Sequence, residues 1–181
     1  FGSEGAAEGD DVASGPADGA VPDSAGTEAA GPSDRPIADV DPWLAEVPAA
    51  LAPIRARVLR RQPLDDGHRA TLRRLAHADP SDPRPWLLYG HADFLAGART
   101  DAMGRYEHAM EASATARHDR DMLGNLVTMS FHRTVGARAR DIVRAVYGAE
   151  ARAAIDAARA TRTDAAEIAA LDTLAARIRA G

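Results

Sequence analysis

From residue 49 onward, apolar residues recur three and four positions apart, with polar and charged residues between them. That period is the signature of α-helices with one face turned inward. A first helix is predicted from about Ala49 to Gln62, where Pro63 stops it, and a second from about Gly67 to Ala78 behind Asp65 or Asp66 as N-cap. Gly97 should end the next helix, and Thr100 with Asp101 should open the one after it. Met122, Leu123, Leu126, Val127 and Phe131 mark one further stripe, and Ala139, Ile142, Val143 and Val146 another that Gly148 terminates. Two helices follow: Ala151, Ala154, Ile155 and Ala158 share a face of the first, and Ile168, Leu171, Leu174, Ala175 and Ile178 a face of the second, with Thr163 as N-cap. No window after residue 41 alternates apolar and polar residues as a strand would, so the fold class read here is all-α.

One stretch is more specific. From Pro83 the chain places Trp86, Tyr89, Gly90, Ala92 and Gly97, then Ala102, Tyr106 and Ala109. Two antiparallel helices need small residues where their axes approach; Gly90, Ala102 and Ala109 supply them, and Trp86, Tyr89 and Tyr106 fill the space around them. This spacing resembles a tetratricopeptide repeat, a helical hairpin of 34 residues. The resemblance implies a short α-solenoid of antiparallel hairpins that binds other proteins and carries no chemistry of its own. One hairpin cannot bury its apolar face alone, so partners are expected at the same period.

Counting back from this unit gives residues 49–82, with Ala52, Ala56, Leu59, Leu72 and Leu75 at repeat positions and Pro80 near the close, although His68 stands where a small residue is usual. Counting forward gives a divergent unit, residues 117–150, in which Gly124 fits and Gly136 and Arg140 do not. The helices over 149–180 read as a terminal pair covering the open end of the stack. The domain organisation is therefore a segment 1–41 followed by a helical body 42–181.

The first segment is a different material. Phe1 to Asp41 hold ten acidic residues against Arg35 alone, among Gly, Ala, Ser and Pro, and too little apolar surface to fold. It is read as a disordered linker of net charge −9, which leaves +4 on the body out of the total of −5. Two readings of the acid are open: it keeps a linker solvated, or the segment folds back onto the basic face and competes with a ligand. The chain does not begin with Met, as expected of a piece of something longer.

In the repeats that the chain resembles, the first helix of each hairpin lines a concave groove. The resemblance implies that Arg57, His91 and Asn125, spaced 34 apart, face it, with Arg60 and Arg61, Phe94 and Leu95, and Thr128 and Met129 beside them. Guanidinium, imidazole and amide groups flanked by apolar patches suit an acidic or C-terminal peptide. The set is similar in residue type to the carboxylate-clamp repeats, although Lys is absent and the order differs. Two plainer readings stand beside it: the arginines form a solvated helix face and His91 packs at the surface, or the body is a structural domain that pairs with a second copy of itself.

Catalytic motifs are missing: no Gly-rich phosphate loop, paired-His helix or Gly-flanked Ser elbow is present. The nearest approach to a metal-ligand cluster is Glu107, His108, Glu111 and His118, which the helical period puts on an outward, solvated face. No cofactor or metal is therefore expected. His132 and Arg133 sit at a helix end, where cations suit the dipole. A body charge of +4 with its aromatics at packing positions does not form a nucleic-acid stripe. No apolar run reaches the length of a membrane span and no signal peptide is visible, which inclines the reading toward the cytoplasm. The absence of Cys rules out a disulfide framework. All 22 cationic side chains are Arg, a mark of high-GC bacterial composition. In this style, and in an acidic linker before divergent repeats, the chain resembles the C-terminal regions of large serine/threonine protein kinases of myxobacteria, without any kinase motif.

Overall fold

The computed structural model describes residues 41–43 and 46–180, and within them the chain is helical with no strand. The segment read as a linker lies, apart from Asp41, outside the described residues. Helix α1 (Ala52–Leu59) carries Pro53 in its first turn, where a missing N–H is harmless. It ends a turn before the expected Gln62: the amides of Arg61 and Gln62 donate to Val58 and Arg57 carbonyls, both at 2.9 Å, and Arg61 takes a left-handed φ of 56°. This is a Schellman close with arginine where glycine is usual. Helix α2 (Asp66–Ala78) is capped by Asp65, whose carboxylate accepts from the His68 amide at 2.8 Å.

Helix α3 (Arg84–Leu95) starts behind Asp82, which accepts from the Arg84 amide and holds its guanidinium, and it stops before Gly97 at φ 82°. Helix α4 (Arg99–Ala112) has no side-chain cap: its N-cap is Ala98, and Thr100 and Asp101 lie inside the first turn. A 3-10 turn, Ala114–His118, leads to Asp119, the N-cap of α5 (Arg120–Met129). Helix α6 (Gly136–Ile142) runs on as a π turn through Tyr147 and breaks at Gly148, φ 49°. A short 3-10 turn opens α7 (Arg152–Ala160), and α8 (Ala165–Ala180) closes the chain. The cap of α8 is Asp164, accepting from the Glu167 amide at 2.9 Å, and not the expected Thr163.

Helix α3 is the hub, packed against α1, α2, α4 and α5, with its most extensive contact on α4. Helices α1 and α2 each meet α3 more closely than they meet each other. Helix α5 packs on α6 and α7, and α8 on α7. The buried residues form two clusters. One joins Leu51, Ile54, Val58, Leu72 and Leu88, and the other runs from Leu87 and Tyr106 through Met122, Leu126 and Met129 to Ile155 and Leu171. Trp43 packs against both. The close approach of α3 and α4 depends on Gly90, above which the Tyr106 ring lies.

Candidate functional site

Because α1 and α5 both rest on α3, a groove is left between them with α3 as its floor. It has two recesses that share Val58, Leu59, His91 and Asp121. The first, of about 230 Å³, is lined further by Asp41, Trp43, Arg55, Leu88, Asp119 and Arg120. The second, of about 190 Å³, is lined further by Arg61, Leu95 and Asn125. These three helices are the first helices of the three units read from the sequence.

A buried polar network stiffens the floor. The Asn125 amide donates to the Tyr106 hydroxyl at 2.7 Å, and that hydroxyl lies 2.9 Å from His91 Nδ1. The Asn125 amide nitrogen is also 3.2 Å from Nδ1. With donors on that side, His91 carries its hydrogen on Nε2, which faces the two Asp119 oxygens at 3.3 and 3.4 Å. Asp119 also accepts from the Trp43 indole at 2.7 Å and from the Met122 amide at 2.6 Å. His91 and Asp119 are both buried, so these bonds replace the water each group has lost.

Burial by itself would raise the Asp119 carboxyl, but its bonds from His91, Trp43 and Met122 outweigh that and hold it below the ordinary aspartate range. Burial pushes the Tyr106 hydroxyl well above the tyrosine range, with the Asn125 bond acting against the shift. Such a tyrosine stays protonated, which suits a structural donor and not a nucleophile.

The residues singled out in the sequence are placed unequally. His91, Asn125 and Arg61 line the groove. Arg57 does not: its Nε and Nη2 donate to the Pro63 carbonyl at 3.3 and 3.2 Å, folding the side chain over the end of α1. Arg60 is exposed and lines neither recess. Phe94 is half-buried on the core with the Arg99 guanidinium 3.8 Å from its ring centre. Met129 is fully buried among core residues, so it offers no groove surface; the period that put it beside Thr128 turns it inward. Among the repeat-motif residues, Ala102, Tyr106 and Ala109 are fully buried, Tyr89 and Gly90 are buried, and Trp86 packs half-buried against the core.

Leu59, read from the sequence as a repeat position of the first unit, instead stands 60% exposed on the rim, and sequence reasoning missed the parts that Trp43 and Asp119 play. The cue for Leu59 was an apolar residue directly before two arginines at a helix end; Trp43 gave no local cue. The residues that came nearest to a metal-ligand pattern in the sequence do not converge: His108 pairs with Glu111 at 3.2 Å on the surface, and Glu107 pairs with Arg138. Among the described residues, the group of three whose donor atoms do converge is His91, Asp119 and Asp121. None of the described helices is long and apolar enough to cross a membrane. Comparison of the chain with protein-family models, with curated proteins and with solved structures gives no match.

Proposed function

We propose that the chain is a non-catalytic interaction module of tetratricopeptide-like hairpins that binds a segment of another protein in the α1, α3, α5 groove. The observation that carries this reading is the pairing of Leu59 and Leu95 on the rim. They are 60% and 41% exposed, two of the three large apolar side chains left in water among the described residues, and they border the same recess. Beside them Arg61 lines the same recess from a left-handed backbone position. Backbone conformations of that kind persist where a structure makes use of them. Apolar rims beside an arginine and an amide suit a peptide that presents a carboxylate next to an aliphatic or aromatic side chain. In a larger signalling protein such a body would serve as an accessory domain.

Peptide phage display against the full chain tests this. Enriched peptides should carry acidic and apolar residues together, and their binding in fluorescence polarisation should fall at least about tenfold with Leu59→Ser or Arg61→Ala, with helical circular dichroism unchanged. Selections that enrich nothing, or peptides indifferent to both substitutions, would defeat the reading. A concentration-dependent increase in mass that Leu59→Ser abolishes would assign the groove to a second copy of the chain instead.

A further inference from the structure

We propose that His91, Asp119 and Asp121 form a site for a divalent cation of the zinc type, with its fourth coordination position open to the groove. One imidazole nitrogen and one oxygen from each of two carboxylates lie within 4.8 Å of one another, reached from the middle of α3 and the start of α5. All three residues line the same recess.

The spacing of the buried pair is informative. His91 Nε2 stands almost equally far from both Asp119 oxygens, 3.3 and 3.4 Å, which is long for an N–H to carboxylate bond. Two ligands of a tetrahedral zinc ion, each about 2.0–2.1 Å from the metal, stand about 3.3–3.4 Å apart. The pair is thus already at the separation of two tetrahedral corners. Asp121 is exposed, so its side chain is free to swing toward them. Two carboxylates with a neutral imidazole balance the dipositive charge.

Each buried ligand is also held from behind, as metal ligands are. The Trp43 indole and the Met122 amide fix the Asp119 carboxylate, and Tyr106 with Asn125 fix the far side of the imidazole. Cation binding requires the lone pair on Nε2, so the imidazole proton moves to Nδ1. Turning the Asn125 amide over accommodates it: Nδ1–H donates to the Tyr106 oxygen, and the Tyr106 hydroxyl donates to Asn125 Oδ1. No proton is gained or lost by the imidazole, and Nδ1, the Tyr106 hydroxyl and Asn125 Oδ1 are partnered with one another. Arg55 and Arg120 share the recess, although Arg55 is turned over the Trp43 ring at 4.4 Å, and α5 presents its positive end. Both features lower affinity for a cation, which points to weaker binding than at a closed structural site and to an exchangeable ion. The open position would accept water or a carboxylate or imidazole from a bound partner.

The test is calorimetric titration of the chelator-treated full chain with zinc chloride, alongside its cobalt(II) absorption spectrum. A single site with a tetrahedral cobalt spectrum is expected. Asp121→Asn, a change at an exposed position, should weaken zinc by at least about 10-fold, the loss typical of partners that only orient a ligand, whereas His108→Gln should not. Nitrogen-15 spectra of the histidine side chains should show His91 passing from Nε2–H to Nδ1–H as zinc is added. Absence of binding, an affinity indifferent to Asp121→Asn, or an unchanged His91 tautomer would overturn the proposal.

Discussion

Gly90 and Tyr106 are complementary halves of one contact: a β-carbon built on Gly90 would fall within 2.6 Å of the Tyr106 ring at Cδ1 and nearer still to Cε1. The ring cannot retreat, because it is fully buried and its hydroxyl is tied to both His91 and Asn125. Gly90→Ala should therefore destabilise the protein by about 1–3 kcal/mol through overpacking, in spite of the helix propensity it adds. Gly124, inside α5 with nothing within 4 Å of its would-be β-carbon, is the control. Gly124→Ala should raise stability by about 0.5–1 kcal/mol in urea unfolding. Equal effects of the two substitutions would contradict the packing described.

Asp119 unites a helix cap with two long-range bonds. In chelator-treated protein, Asp119→Ala should cost about 0.5–2 kcal/mol for the cap and about 1–3 kcal/mol more for the partners left unpaired. Trp43→Phe, which removes the indole donor and part of the ring packed on both clusters, should cost about 1 kcal/mol for the bond and more for the lost packing. The double variant should fall short of the sum, since the two single changes break one shared bond; strict additivity in urea midpoints would show that the bond contributes nothing.

Alkali should unfold the protein by way of its tyrosines. Burial raises the hydroxyls of Tyr106 and Tyr147 above the ordinary value of 10.0. Their contribution is complete below that value and is lost as pH rises beyond it, because the unfolded chain releases these protons first. Urea midpoints should begin to drop at about pH 10 and keep falling above it, and the tyrosinate absorbance of these two residues should appear together with loss of the helical signal. Full ionisation of all three tyrosines in a chain that is still helical would refute this.

Arg61 holds a backbone conformation that glycine adopts without cost. Arg61→Gly should stabilise the protein by about 1 kcal/mol while weakening capture of groove peptides, so that stability and binding move in opposite directions. A thermal midpoint that falls would show that the guanidinium holds α1 in place.

The helix that closes the chain offers a sharp comparison of neighbouring residues. Asp164→Ala should cost about 1 kcal/mol as loss of a cap, and Thr163→Ala should be close to neutral. The reverse order would restore Thr163 as the cap.

These last residues show where local reading holds and where it stops. Thr163 and Asp164 are both good caps, and only the direction of the chain into α8 decides between them. The helices themselves were legible because Pro63, Gly97 and Gly148 punctuate a steady three-to-four period, and the complementarity of Gly90 and Tyr106 was legible because small and large residues alternate at helical spacing. What escaped was tertiary. Asp119 announces a helix start, but its bonds reach Trp43 across 76 positions and His91 across 28. Arg57 shares a spacing with His91 and Asn125, yet α1 ends early and the Pro63 carbonyl captures its guanidinium. Periodicity fixes which way a residue points from its own axis; it does not tell which loop will be waiting there.

Trp43 touches both hydrophobic clusters and lies before the first helix. A row of packed helices can in principle unzip from an end, one unit at a time. Here the outermost cluster and the inner one share a side chain, so the end unit cannot loosen without disturbing its neighbour. Melting should follow as a single transition, and a fragment begun at residue 46 would hold every helix yet lack the rivet that makes them one body.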